Sequence, residues 1–252
     1  MPIDPSSAAA ERYRTLRSGP GWRKAGCIVA FIALGLVAVQ SARLGIAGLI
    51  VELGQREVDR WTASRRPQSM REISRVARYF TESLDYMPGN PWAHEALGAL
   101  DLARMRLSTI PRQALGYTWA ARLRFREALE QRPASTYLWA NLALSKLYLD
   151  EIDAELFAAL RHADELGPWE PKAQQTVLFV GLAVWEKLDS DLRQRVVKVL
   201  ERGAVWNAGK MLEIVKSFGR SDLLCSMKGY DMQGGGRCEH GDNTTRSSAP
   251  KR

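Results

Sequence analysis

Cysteine and histidine are scarce in this chain, with three of each among 252 residues. Cys27, Cys225 and Cys238 form no CxxC pair, and His94, His162 and His240 stand far apart in sequence. Zinc sites gather such ligands at short, characteristic spacings, so no metal ligand is expected. Common enzyme signatures are missing as well. The sequence contains no HExxH, no GxSxG and no phosphate-cradling glycine loop. Gly234-Gly235-Gly236 falls in a polar C-terminal stretch rather than between a strand and a helix. No segment alternates apolar and polar residues as a half-buried strand does. Catalytic residues, cofactors and β-sheet are therefore not expected.

What is present is apolar, helical and rich in arginine. Hydrophobic residues make up 46% and charged residues 25%, enough to build a core. Eight tryptophans outnumber six phenylalanines, and in a helical protein indoles of this kind wedge between packed helices. The net charge is +8, but it is unevenly placed. Arg12, Arg14, Arg17, Arg23 and Lys24 stand against Asp4 and Glu11 before residue 25, and the C-terminal tail is mildly basic. The remaining body carries too little positive charge for a nucleic-acid-binding domain.

Residues 25–42, AGCIVAFIALGLVAVQSA, run for eighteen positions without a charge. At about 1.5 Å per residue that length just spans a hydrocarbon core about 30 Å thick. The basic cluster before the run predicts a cytoplasmic N-terminus and a translocated body, and Trp22 falls at the interface. A buried helix of a soluble protein and a cleaved signal peptide are the competing readings. A signal peptide would have a shorter charged region and a clearer small-residue cleavage site than Val39-Gln40-Ser41. In a bacterium the body would be periplasmic and the anchor would sit in the inner membrane.

Beyond residue 68 the apolar phase is helical. Ile73, Val76, Ala77, Phe80 and Leu84 form one stripe, with Arg71, Arg75 and Arg78 on the opposite side. A register then recurs around Pro88, Pro133 and Pro168. Eight residues before them stand Phe80, Phe125 and Leu160, and five before stand Ser83, Ala128 and Ala163. Leu97-Gly98 and Leu142-Ala143 follow the first two prolines at one spacing, and Val177-Leu178 takes those places after the third. Six residues after each proline come His94, Trp139 and Gln174.

This register resembles the tetratricopeptide (TPR) repeat, W-x2-L-G followed by A-x3-F, a small residue and a helix-ending proline. Trp139-x2-Leu142-Ala143 is similar to its first helix, and Ala121-x3-Phe125-x2-Ala128-x4-Pro133 to its second. Small residues let paired helices approach while large ones fill the groove. The step from Pro88 to Pro133 is longer than that from Pro133 to Pro168, and the surplus is expected around Ser108-Thr109-Ile110-Pro111.

The expected fold class is therefore all-α: a single N-terminal transmembrane helix, then a TPR-like antiparallel helix-pair solenoid. The expected divisions are a cytoplasmic basic N-terminus at 1–24, the transmembrane helix at 25–42, and a membrane-proximal amphipathic helix at 44–67. A repeat domain at 69–217 and a flexible tail at 218–252 complete them. The amphipathic segment is expected to pair with 69–86, and residues 171–187, 189–202 and 204–217 read as three further helices.

Candidate binding residues are arginines. All twelve basic residues from Arg65 to Arg132 are Arg, whose fork suits carboxylates and phosphates. Arg71, Arg75, Arg78, Arg122 and Arg126, with Trp92, Tyr117, Trp119 and Tyr137 interleaved, form a candidate face for an anionic ligand such as an acidic polysaccharide. A solvated helical face is the alternative. Asp150, Glu151, Asp153 and Glu155 read as charge at a helix N-terminus, and His94 as a packing residue in the position of Trp139. Cys225 and Cys238 form a candidate disulfide in an oxidising compartment, with two free thiols as the alternative.

PGNPWAHEALG at 88–98, RPASTYLWANLALSKLY at 132–148 and ELGPWEP at 165–171 are similar to blocks in the VpsP-like accessory proteins of bacterial exopolysaccharide clusters. That resemblance implies a membrane-bound, non-catalytic role in exopolysaccharide biosynthesis or export, with envelope proteins of that machinery as partners. The alternative is a TPR chaperone-like factor that holds apoproteins, of the cytochrome-maturation type.

Overall fold

The structure, a computed structural model, describes residues 20–64 and 69–225. Every regular element among them is helical: α1 (Pro20–Ser64), α2 (Met70–Tyr86), α3 (Pro91–Leu107), α4 (Pro111–Gln131), α5 (Thr136–Tyr148), α6 (Ala154–Leu166), α7 (Pro171–Ala183) and α8 (Ser190–Ser217). A 3-10 turn at Trp185–Lys187 and a four-residue helix, α9 (Asp222–Cys225), complete the order. The fold divides into two compact units, one reaching Ala93 and one starting at His94.

In the first unit, α1 is one helix of 45 residues, roughly 68 Å long at 1.5 Å per residue. The amphipathic segment runs on from the apolar one without interruption at Arg43, because nothing in the sequence there breaks a helix. From Lys24 to Ile46 every side chain is exposed. The helix is long and apolar enough to cross a membrane, with a mean hydropathy of 2.1 over its most apolar stretch. Past that stretch the pairing with α2 holds as expected. Ala47, Gly54 and Trp61 are buried at helical spacing, as are Ile73, Val76, Ala77, Phe80 and Ser83 of α2. Ser83 Oγ donates to the Ala47 carbonyl at 3.1 Å, and a Cβ added at Gly54 would lie 2.8 Å from the Phe80 ring. Ser69 and Glu72 start α2 with a capping box, satisfying two backbone N–H groups reciprocally.

The three prolines share one local turn. Each follows a helix-ending residue of similar backbone: Met87 (φ −138°, ψ 86°), Arg132 (φ −134°, ψ 64°) and Gly167 (φ −145°, ψ 64°). Each turn then closes by a backbone bond three residues long, from Asn90, Ser135 and Glu170 to those same residues, at 3.0, 3.1 and 3.2 Å. Proline stops the outgoing helix because it lacks an N–H and clashes with the preceding turn. Six residues later, Trp139 Nε1 donates to the Pro133 carbonyl at 2.7 Å and Gln174 Nε2 to the Pro168 carbonyl at 2.6 Å. The recurring register thus has a recurring job, which is to tie the next helix back onto its own turn.

In the second unit, Phe125, Leu138, Leu142, Leu156, Leu160, Leu178 and Leu200 lie within one continuous core. A Cβ added at Gly98 of α3 would stand 2.7 Å from the Phe125 ring of α4, the same glycine-on-ring contact as Gly54 on Phe80. The surplus between Pro88 and Pro133 is not a long connection. Residues 108–110 make a three-residue link, and the helices themselves are longer: 17 residues in α3 and 21 in α4, against 13 in each of α5 and α6.

Two further expectations need correcting. The segments 189–202 and 204–217 are two helical stretches within α8, as expected, but the kink between them falls at Asn207 (φ −145°, ψ 44°) rather than near Gly203. Gly203 is buried instead, so close to Met211 that a Cβ would meet its side chain at 2.3 Å. The tail also begins later than 218. Phe218 packs edge-on against Phe179 at 5.3 Å, Arg220 lies 4.6 Å from the Trp185 ring, and Leu223 is buried. Gly219, at φ 66°, lets the chain fold back so that the Arg220 N–H reaches the Val215 carbonyl. The basic residues 1–19, the stretch from 226 onward and the Cys225–Cys238 pairing lie outside the described residues.

Candidate functional site

Two surfaces of different chemistry emerge, one per unit. In the first, Arg71, Arg75 and Arg78 project from the exposed side of α2, opposite Ile73, Val76 and Phe80. They border a shallow depression with Glu72 and Ser74. None of the three arginines forms an ion pair among the described residues. Helical spacing alone aligns them, since positions 71, 75 and 78 fall on one side of the helix.

In the second unit, α4 exceeds α5 by eight residues, about 12 Å of helix. Leu115, Trp119 and Leu123 recur every four residues along α4 and are 54%, 49% and 38% exposed. Leu107 and Ile110, at the tip of the α3–α4 hairpin, are exposed too. The Arg122 guanidinium lies 4.7 Å from the Trp119 ring centroid, a cation–π contact that holds the indole in place.

Behind that edge sits a cluster of six charges. Lys146 of α5 is 1% exposed, and its Nζ reaches Glu151 at 3.2 Å, Asp153 at 2.9 Å and Glu155 at 2.7 Å. Arg122 Nη1 donates to both oxygens of Glu151 at 2.5 Å, and Arg126 makes a two-pronged pair with Glu155. Burial works against the charged form of Lys146, but the three carboxylates outweigh it and hold the ammonium above its ordinary value. Burial likewise works against ionised Glu151 and Asp153, and the facing cations keep both below the ordinary carboxylate range. Glu155 is lowered by Arg126 first, against burial. Three cations facing three anions leave the cluster neutral.

The local chain explains the cluster. After α5 the backbone turns left-handed at Asp150 (φ 56°), and the Glu151 N–H returns to the Lys146 carbonyl at 2.9 Å. Asp153 then caps α6, accepting from the Leu156 N–H at 3.0 Å. The acids therefore cap a helix as expected, but they also neutralise the buried lysine and the two arginines.

The five arginines put forward from sequence thus differ in state. Arg71, Arg75 and Arg78 are exposed, whereas Arg122 and Arg126 are committed to Glu151 and Glu155. His94 is buried, with Nδ1 2.8 Å from Glu127 and 3.2 Å from Arg124. Tyr137 donates to Glu170, which pushes its phenol up to about 12. Sequence reasoning missed Lys146. Its signal was a lone lysine inside the apolar run of α5, with carboxylates following at five, seven and nine residues. No group of three or more His, Cys, Asp or Glu side chains that could hold a metal ion occurs among the described residues.

Among the described residues the fold is all-helical, with one N-terminal helix long and apolar enough to cross a membrane. No family model matches the chain, and no curated protein matches it.

Proposed function

We propose that this chain is a non-catalytic scaffold of the bacterial envelope. In this reading α1 spans the inner membrane with its N-terminus in the cytoplasm, and the helical body stands in the periplasm as a TPR-like platform. It serves exopolysaccharide biosynthesis or export by holding protein partners beside the membrane. One observation carries the reading. The exposed apolar run of α1 is continuous with the turns that pack on α2, so the span and the body share one helix. Tethering of this kind raises the effective concentration of the body for membrane partners.

The apolar edge of α4 supports a protein partner. Leu115, Trp119 and Leu123 offer a ridge for an apolar face, and exposed aromatic and aliphatic side chains of this type anchor protein interfaces. Arg71, Arg75 and Arg78 are the side chains that would meet an acidic polysaccharide. The test is deletion of the gene in its host, scored for secreted polysaccharide and rescued with and without residues 1–43. Loss of polymer restored only by the anchored form supports the reading. Normal polymer after deletion removes the exopolysaccharide role.

A second reading, a holder of apoproteins, draws support from the neutrality of the charges behind α4, which leaves an apolar ridge to meet unfolded chain. Haem proteins lost with the gene while polymer persists would favour it.

A further inference from the structure

We infer that the turn joining α2 to α3, with Tyr86 and Trp92 on its flanks, is a second membrane contact that rests in the headgroup layer of the bilayer crossed by α1. The inference builds on the reading of α1 as a span and adds a surface to it.

The geometry lies within the first unit. α2 runs antiparallel to α1, since Phe80 faces Gly54 and Ser83 faces Ala47. Three residues beyond Ser83 advance α2 by about 4.5 Å, which brings Tyr86 level with the turn of α1 that follows Arg43. The uncharged run ends at Ala42. Headgroup layers add roughly 5–8 Å on each side of the hydrocarbon core, so the turn falls inside that layer.

Its height is fixed by a chain of hydrogen bonds. Ser83 Oγ donates to the Ala47 carbonyl, Asn90 Nδ2 donates to Ser83 Oγ at 3.1 Å, and Asn90 Oδ1 accepts from the Trp92 N–H at 3.1 Å. Ser83 is fully buried and Asn90 is 5% exposed, so this relay is interior and holds the turn against α1. The rings are placed outward, with Trp92 57% and Tyr86 40% exposed. Indole and phenol rings favour this depth because each has an apolar body and a polar tip. Exposed charges nearby include Arg43 on α1 and Glu82 and Asp85 on α2. With acids outnumbering the base, ring insertion rather than attraction to anionic lipid makes the contact, and it should hold on zwitterionic phosphatidylcholine.

The test uses the full chain in phosphatidylcholine vesicles, with Cys27, Cys225 and Cys238 replaced by serine. An environment-sensitive fluorophore is placed on single cysteines at Leu34→Cys, Ser74→Cys and Gly89→Cys. Gly89 suits the probe because it is exposed and a Cβ there meets nothing within 4 Å. The expected result is loss of emission at position 89 with lipids brominated high on the acyl chain. Position 34 should be quenched by mid-chain bromines, and position 74, about 18 Å along α2 from Tyr86, should not be quenched. Adding Tyr86→Ser and Trp92→Ser should relieve quenching at 89 and leave position 34 unchanged. A probe at 89 that stays in water while position 34 is quenched overturns the contact and leaves the span standing. So does quenching at 89 that the serine pair does not alter. A probe at 34 that stays in water overturns span and contact together.

Discussion

The contact between Gly98 and Phe125 yields a sharp test of the packing. An ideal Cβ at Gly98 would stand 2.7, 2.8 and 3.0 Å from three carbons of the Phe125 ring, well inside an ordinary contact of about 3.5–4.0 Å. Phe125 is fully buried, so the ring has no free side to swing toward. Forcing a methyl into a filled core costs about 1–3 kcal/mol. Replacing glycine by alanine inside a helix returns about 1 kcal/mol. Gly98→Ala should therefore lose about 1 kcal/mol net, a fall of about 2–4 °C in Tm for a chain of this size. Gly116, on the exposed side of α4, separates the two contributions, since its added Cβ meets nothing within 4 Å. Gly116→Ala should gain about 0.5–1 kcal/mol. Thermal unfolding of the full chain in detergent, followed by circular dichroism, measures both. Trimming the ring in a Gly98→Ala/Phe125→Leu double variant should cost less than the two single changes added together. A Gly98→Ala protein as stable as Gly116→Ala would refute the packing derived for α3 and α4.

Other expectations follow from the charge cluster and the arginines. Lys146→Met should destabilise by about 2–3 kcal/mol, below the full cost of a broken buried pair because the carboxylates are partly exposed; an unchanged denaturant midpoint would refute this. Because the folded chain holds Glu151, Asp153 and Glu155 below ordinary values of 4.5, 3.8 and 4.5, their contribution is complete above about pH 4.5 and fades as pH falls further. Lys146, held above its ordinary 10.5, contributes fully below that pH and loses its share only as pH rises past its folded value. Unfolding midpoints should be flat between these limits, and a loss of stability setting in near neutrality would contradict the cluster. Arg71→Gln, Arg75→Gln and Arg78→Gln together should leave the unfolding midpoint within about 0.5 kcal/mol of wild type, as surface changes usually do. If this face binds an anion, the same triple variant loses retention on an acidic polysaccharide column.

What the sequence determined by itself were the features set by local spacing. The eighteen uncharged residues defined an apolar helix from length alone, and the stripe Ile73–Phe80 defined the buried side of α2. Prolines 88, 133 and 168 marked helix ends because a missing N–H and a ring clash act within one turn of chain. Tertiary structure decided what spacing does not encode. Arg122 and Arg126 looked like Arg71 and Arg75 in sequence, but carboxylates 29 residues away neutralise them. Lys146 is buried because α4, α5 and α6 converge on it, and that convergence makes three acids stabilising. The surplus residues before Pro133 lengthened two helices rather than a link, since exposed turns of helix satisfy their own backbone hydrogen bonds and a long connection does not. The break at Asn207 and the packing of Phe218 and Leu223 depend on neighbours that approach from other helices. Local chemistry thus wrote the helices and their ends, and packing assigned each charge to the interior or to the surface.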